Sequence, residues 1–384
     1  MKASTSVHDW MKAIQTPTPY RVGTAKIQLK PRFLAYASLF TMALFILFVF
    51  VVLPRPIRGI PNCVEIRKRT EYNSTYPLTE PEDLGDGYRF KIAVVTDLDT
   101  DSKISENTWK SDIKFGHITV STDMREVKIH WEDSVTLSSG LSQGGRGMEL
   151  SELVAFNGKL YSVDDRTGIV YQIDNQKVIP WVILADGSGH ESKGFKSEWA
   201  TVKDKRMYVG GLGKEWTTVS GTVQNFNPQW VKSIGPSGDV IHLNWRENYN
   251  KMRHACSTDY PGYLIHEAGV WSIVHQQWFF LPRRASMEAY EEVADERRAS
   301  NILLVCNEHF ENIEVRHIGV VNPTHGFSSF KFIPGSNDRL IIALKSMEDK
   351  GQIATFVLVF SVDGEIIYPE TKIGDYKYEG IEFV

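Results

Sequence analysis

The sequence predicts an all-β ectodomain behind a single N-terminal transmembrane helix. Three observations predict it. Residues 33–53 form an uncharged apolar run; from about Tyr88 onward apolar residues recur with a period of two; and Gly, Asn and Asp break that pattern at short intervals. Composition agrees: 42% of the 384 residues are hydrophobic and 23% charged, which is ordinary for a globular chain. An aromatic content of 11% alongside 29 Gly favours short strands and tight turns over a helical bundle. A net charge of −4 argues against binding a nucleic-acid backbone, and three Cys are too few for a disulfide scaffold.

Residues 1–32 hold six basic residues (Lys2, Lys12, Arg21, Lys26, Lys30, Arg32) against Asp9, a local charge of +5 that leaves −9 for the rest. The run Phe33–Leu53 has only Ser38 and Thr41 as clearly polar residues. As a helix it would reach about 31 Å, the thickness of a hydrocarbon core. It is too long for a signal-peptide apolar region, and Leu-Pro-Arg-Pro follows it where a small-residue cleavage site would stand. The basic flank precedes the span, which places residues 1–32 in the cytoplasm and the remainder in the lumen or outside. The Asn73-Ser74-Thr75 glycosylation sequon falls on that far side. The expectation is a single-pass type II membrane protein.

Residues 54–87 carry five of the sixteen prolines and read as an extended stem. Cys63 lies on it; with Cys256 and Cys306 three pairings are open. Residues 88–384 then supply short strands such as Arg89–Thr96, Leu160–Val163, Gln277–Leu281 and Thr355–Ser361. About 300 residues of such strands exceed one sandwich and suit a propeller of five or six four-stranded blades. Ser286–Ala299 reads as a solvated surface excursion with helical character.

Gly140-Leu141-Ser142-Gln143-Gly144 has the spelling of a nucleophile elbow, but Gly-Arg-Gly follows where a helix should start. Gly210–Glu215 is spelled like a phosphate loop, yet Glu215 replaces the hydroxyl that would hold magnesium; a tight turn is the plainer reading, with Lys214 as a point charge for phosphate. Neither a zinc spacing nor an EF-hand loop is present, and 46 of the 47 acidic residues follow the apolar run.

Seven stretches in order resemble the calcium-activated nucleotidase family, typified by the salivary apyrases of blood-feeding insects and their membrane-anchored vertebrate relatives. They are GRGMELSELV (145–154), LYSVDDRTGIVYQI (160–173), YVGGLGKEWTT (208–218), PGYLIHE (261–267), WFFLPRRAS (278–286), PTHGFSSFKFIPG (323–335) and KYEGIEF (377–383). The resemblance covers residues 88–384, and the anchor and stem match the vertebrate forms. It implies a five-bladed β-propeller around a central Ca2+ and hydrolysis of the terminal phosphate of nucleoside di- and triphosphates, with UDP and GDP preferred. Such an enzyme would act in the lumen of the endoplasmic reticulum or Golgi, in support of glycosylation and protein quality control. A homodimer is a further implication.

Carried over motif by motif, the calcium ligands fall on Ser151, Glu152, Glu198, Glu267, Ser328 and Glu379. The family more often has Asp where Glu152 stands. One ligand per segment gives gaps of 46, 69, 61 and 51 residues, near the length of a blade, and oxygen-only donors suit a hard cation. Arg146, Arg166 and Lys214 are candidates for clamping phosphates. Asp97, Asp99 and Asp165 are candidates for orienting or deprotonating water, with turn stabilisation as the competing role. Arg283 and Arg284 are weaker phosphate candidates, with surface pairing to Glu291 or Glu292 as the alternative. The rival function is a catalytically inactive lumenal propeller that serves as a binding module.

Overall fold

The computed structural model describes residues 20–22, 25–27, 31–51, 71–219 and 221–384. Two compact units are present, Met1–Glu71 and Tyr72–Val384. Within the first, a small antiparallel pair (Tyr20–Val22 with Ala25–Ile27) precedes the helix α1, Pro31–Val51. Among the described residues no helix is long and apolar enough to cross a membrane, so the span expected at 33–53 stands unconfirmed. Most of the tail 1–32 and the stem as far as residue 70, Cys63 included, lie outside the described residues.

The second unit is a ring of five antiparallel sheets of four principal strands each. Blade 5 opens the chain with β1 (Gly87–Thr96), β2 (Thr108–Ser121) and β3 (Val127–Ser139). Blade 1 is β4 (Leu150–Phe156), β5 (Lys159–Asp164), β6 (Ile169–Asp174) and β7 (Lys177–Ile183). Blade 2 is β8 (Trp199–Lys203), β9 (Arg206–Gly210), β10 (Trp230–Ile234) and β11 (Val240–Asn244). Blade 3 is β12 (Tyr263–Ser272), β13 (Gln277–Ser286), β14 (Ile302–Asn307) and β15 (Ile313–His317). Blade 4 is β16 (His325–Phe332), β17 (Leu340–Asp349), β18 (Gln352–Ser361) and β19 (Ile366–Gly374). The last strand, β20 (Tyr378–Phe383), returns to blade 5 and pairs with β1, Ile381 opposite Val94. That pairing closes the ring with hydrogen bonds between the first and last strands, so no edge is left open at the seam.

The strands β4, β8, β12, β16 and β20 touch one another in cyclic order and line the axis. Five buried apolar clusters fill the spaces between neighbouring blades, one to each space. Between blades 2 and 3, for example, Trp199 and Trp278 pack edge to face with centroids 6.3 Å apart, and Trp245 meets Trp278 at 5.0 Å. An axial strand is therefore buried on both faces, as in β4, where alternation disappears. One helix was not expected: α2, Arg246–Ala255, buries Tyr249 and Met252 against that aromatic cluster, and Arg253, one position on, is buried in an ion pair with Glu215. The excursion after β13 contains a single helical turn, α3 (Glu292–Asp295), capped by the Glu291 carboxylate.

The compact unit starts inside the stretch 54–87. Tyr72 meets Phe156 at 5.6 Å, Tyr76 donates its hydroxyl to Glu382 (3.0 Å), and Thr79 donates to the carbonyl of Val384 (2.5 Å). Residues 72–79 thus fasten onto blades 1 and 5.

Candidate functional site

In four of the five axial strands, the residue expected to ligate the cation sits where the ladder slips. Ser151 lies between the paired residues Leu150 and Glu152, and Glu267 between His266 and Gly269. Ser328 lies between Phe327 and Ser329, and Glu379 between Tyr378 and Gly380. A bulge inserts an unpaired residue and re-aims its side chain. The fifth, Glu198, stands one residue before β8, its N–H bonded to the carbonyl of Gly210. Ser151, Glu198, Ser328 and Glu379 are buried, and the side chain of Glu267 is only 12% exposed.

Gly380 shows how tightly the axial strands meet. A Cβ there would lie 2.4 Å from the backbone nitrogen of Leu153 and 2.6 Å from the carbonyl carbon of Glu152, so only glycine lets β20 approach β4.

Around these oxygens runs a buried network of alternating charge. Lys196 bridges Asp165 and Glu198, the latter at 2.9 Å. Lys377 reaches Asp97 (2.7 Å), Glu379 (3.3 Å), Asp99 (3.4 Å) and Glu348 (3.8 Å). Arg283 joins Glu267 and Glu348 to Glu379 (3.2 Å). Arg146 pairs with Glu149 and, at 3.0 Å, with Asp99. Eight carboxylates thus face four cations, an excess of four acids; Asp97, Glu149, Asp165, Glu198 and Glu379 are buried, whereas Asp99 and Glu348 are 45% and 36% exposed.

The carboxyl groups respond accordingly. Burial pushes Glu198 up to about 8 and Glu149 to about 7, against the pull of Lys196 and Arg146. Glu379 is raised well above the ordinary carboxylate range, again by burial first. Burial likewise raises Asp165, whereas at Asp97 burial is outweighed by Lys377, the Asp99 N–H and Lys196 acting together, and the group is held low. Asp97, Asp99 and Glu149 form, among the described residues, one group of three whose ligand atoms all lie within 4.8 Å of one another.

The expected residues fall into three sets. Asp97, Asp99, Asp165, Arg146, Glu198, Glu267 and Glu379 meet in the network. Ser151 and Ser328 stand beside them on the axial strands; Ser151 Oγ and Asp165 Oδ1 are buried with no hydrogen-bond partner. Glu152, Arg166 and Lys214 do not join the network. Glu152 accepts from Ser329 (2.8 and 3.0 Å) and the Leu153 N–H (2.9 Å) and pairs with Lys331 (3.2 Å). Burial raises it to about 7 despite Lys331. Lys214 donates to the Glu215 carbonyl (2.9 Å) and Thr217 (3.0 Å) and lies over Tyr290 (4.2 Å). Arg166 has a buried Nε without a partner, and one of its amino nitrogens approaches Gly144.

The competing turn role belongs to Asp164: its carboxylate accepts from the N–H groups of Met148, Arg166 and Thr167, which leaves Asp165 to face Lys196. Asp97 does both, accepting from the Asp99 N–H (2.9 Å) and from Lys377. No helix follows Ser142.

Sequence reasoning missed Glu149, Lys196, Glu348 and Lys377 and assigned Arg283 elsewhere. A signal existed for two of them. Lys196 and Lys377 each stand two residues before a candidate carboxylate, the spacing that returns a strand to the same face.

The donor set is all oxygen, anionic in excess, and contains buried oxygens without partners, which fits a hard divalent cation. Comparison with known proteins agrees. The apyrase family model matches residues 98–384. The chain is 52% identical over 364 residues to soluble calcium-activated nucleotidase 1 of Rattus norvegicus, covering 92% of this chain and 90% of that protein. It is 46% identical over 320 residues to the apyrase of Cimex lectularius (82% and 88% covered) and 47% over 299 residues to apyrase apy-1 of Caenorhabditis elegans (77% and 84%). This chain belongs to the apyrase family.

Proposed function

We propose that the protein is a Ca2+-dependent hydrolase of nucleoside diphosphates, UDP and GDP foremost, and triphosphates, releasing phosphate from the terminal position. The observation that carries this reading is the set of ladder slips that bring Ser151, Glu267, Ser328 and Glu379 to one axis beside Glu198. These five residues would hold the ion, while Glu152 is engaged by Ser329 and Lys331. The name calcium-activated nucleotidase, given to the rat and mouse relatives, supports that choice of metal. When bound, calcium neutralises the excess carboxylate charge and polarises phosphate oxygens.

The chain's own groups have separable tasks. Asp165, raised by burial and with Oδ1 unpartnered, is the stronger base and takes a proton from the attacking water. Asp97, held low by Lys377, stays ionised and orients that water together with Asp99. Water oxygen forms the new bond to the terminal phosphorus, the anhydride P–O bond breaks, and the nucleotide leaves as the monophosphate or diphosphate. Arg146, Arg166 and Lys214 hold phosphate oxygens; a guanidinium offers a planar fork for two of them.

The placement we propose is type II, with the propeller in the lumen of the endoplasmic reticulum or Golgi, where UDP and GDP are left by glycosyl transfer. In support, the described large apolar side chains of α1, such as Tyr36 (70%) and Phe45 (67%), face outward, and the Ser38 and Thr41 hydroxyls return to helix carbonyls. Asn73 is exposed. Loss of a glycosidase-sensitive gel shift in Asn73→Gln tests that sequon, and sedimentation of the full chain in detergent tests the homodimer.

The deciding experiment measures phosphate release by the full chain from UDP, GDP, ADP and the triphosphates with calcium, with magnesium and with chelator. Calcium-dependent release favouring UDP or GDP is expected. No release from folded protein that binds calcium overturns the enzyme and makes the chain a binding module.

A further inference from the structure

Arg284 is a charged side chain of the site region with two buried nitrogens left unpaired. The residue is 3% exposed, and its Nε and Nη1 are buried without a hydrogen-bond partner. Its closest opposite charge is Asp295, 3.7 Å from Nε and already accepting from the Tyr263 hydroxyl. A guanidinium stays charged in proteins and carries five donors, so a buried one without acceptors is costly unless a ligand supplies them. Burial, with Arg283 beside it, pulls its pKa down.

The neighbourhood is built to admit this side chain. Its strand neighbour Arg283 turns to Glu267, Glu348 and Glu379, whereas Arg284 stands clear of those acids. At the start of β16, a Cβ on Gly326 would come within 2.7 Å of Arg284 Nη1 and 2.5 Å of Arg283 Cγ, so a glycine there keeps the guanidinium in place. Asp295 also accepts from Tyr263, whose ring packs edge to face on Tyr290 at 5.6 Å, and Tyr290 carries Lys214 over its own ring. Lys214, already a phosphate candidate, and Arg284 thus flank Tyr290 and Asp295 with two buried cations.

The position relative to the reacting groups decides which anion fits. The chain of contacts from Asp97 through Lys377 and Glu379 ends at Arg283, and Arg284 pairs with none of its members, its one ion pair being to Asp295. Resting on the function proposed above, we infer that Arg284 is a substrate-binding residue that holds the retained, nucleoside-side phosphate of the nucleotide, with Lys214 as its companion charge. An oxyanion placed there receives a fork of donors that the protein itself leaves unused. The residue grips the part of the substrate that does not react, and its contribution is to binding.

The test uses the full chain in detergent with calcium present: wild type, Arg284→Gln and Arg284→Lys. Steady-state hydrolysis of UDP is measured together with calorimetric binding of UMP and of inorganic phosphate. Hydrogen bonds to a charged group are strong enough that Arg284→Gln should raise KM for UDP at least about tenfold. The same variant should weaken UMP by a similar factor, with kcat within about threefold and phosphate affinity unchanged. Arg284→Lys, which keeps the charge and loses the fork, should fall between. Both variants should stay folded: Arg284 makes no side-chain hydrogen bond, and its pair with Asp295 at 3.7 Å, lost in Arg284→Gln, keeps its charge in Arg284→Lys.

Unchanged KM and UMP affinity in either folded variant overturns the assignment. So does a loss of phosphate affinity with UMP unaffected, which would place Arg284 on the transferred phosphate. Absence of phosphate release in the wild type is a separate result that overturns the enzyme reading itself.

Discussion

Arg283 offers a direct measure of how far the buried acids depend on added positive charge. Its side chain is 5% exposed and ties Glu267, Glu348 and Glu379 together. In Arg283→Met the aliphatic volume is roughly kept and the guanidinium removed. Glu379 and Glu348 then retain Lys377 at 3.3 and 3.8 Å, and Glu267 loses its ion pair outright. Breaking a buried pair by removing one partner costs about 3–5 kcal/mol. For a unit of roughly 310 residues the unfolding entropy is about 0.65 kcal/mol/K, so in chelator the melting temperature should fall by about 5–8 °C. Calcium should offset much of that loss. Glu267 and Glu379, freed from the guanidinium, would bind the ion more tightly, and each tenfold gain in affinity over wild type returns about 1.4 kcal/mol at saturating calcium. Scanning calorimetry of both proteins, with chelator and with millimolar calcium, gives the four melting temperatures required. The deficit should shrink to less than half in calcium. An equal deficit in both conditions would refute the argument, since it would mean that the partners of Arg283 are not the ligands of the ion.

Three other outcomes follow from the same geometry. Glu198 and Glu152, raised by burial to about 8 and about 7 from 4.5, hold protons in the folded chelated protein that the unfolded chain has lost. Their contribution is present below pH 4.5 and disappears as pH climbs to 8, so the chelated protein should melt lower at pH 8 than at pH 5.5; the reverse order would contradict it. Calcium uptake at pH 7 should then release protons, read as a calorimetric enthalpy that changes with the buffer's ionisation enthalpy. Gly380→Ala forces a Cβ against the backbone of β4 and should cost about 3 kcal/mol, with weaker calcium binding at the neighbouring Glu379; a melting temperature within 2 °C of wild type would sink that reasoning.

Turn residues and solvated strands were legible because they follow local rules. The Asn157-Gly158 and Asp363-Gly364 turns fall at hairpin ends, and Leu160–Val163 lies inside β5. Axial strands were harder. A strand buried on both faces has no alternation to read, so β8 and β16 carried no period. The helix α2 was hidden for another reason: no side-chain cap announces it, and its apolar stripe is one aromatic residue, Tyr249, and one sulfur-bearing residue, Met252, among charges. In the site, carboxylates could be named from motifs, but their partners could not. Arg283 lies 96 positions from Glu379 and Lys377 lies 280 from Asp97, distances that only the ring closure makes short.

Glu152 shows what that closure decides. Its motif places it next to Ser151, yet its side chain carries the oxygens across to Ser329 and Lys331 on β16. Lys331 Nζ is buried and has no hydrogen bond, so this ion pair is its principal compensation. Glu152→Asp would withdraw the carboxylate by about one C–C bond, roughly 1.5 Å. That is enough to break contacts of 2.8–3.2 Å and bring the oxygens back toward Ser151. Two effects of opposite sign should follow. The chelated protein loses stability, by about 1–3 kcal/mol for a buried group left unsatisfied, while calcium binds more tightly because a carboxylate has been returned to the axial set. Calorimetric calcium titration and thermal melts of the same variant separate them. Tighter calcium with a lower chelated melting temperature supports a carboxylate shared between structure and metal. Unchanged affinity with the same loss of stability would leave Glu152 as the counter-ion of Lys331 alone.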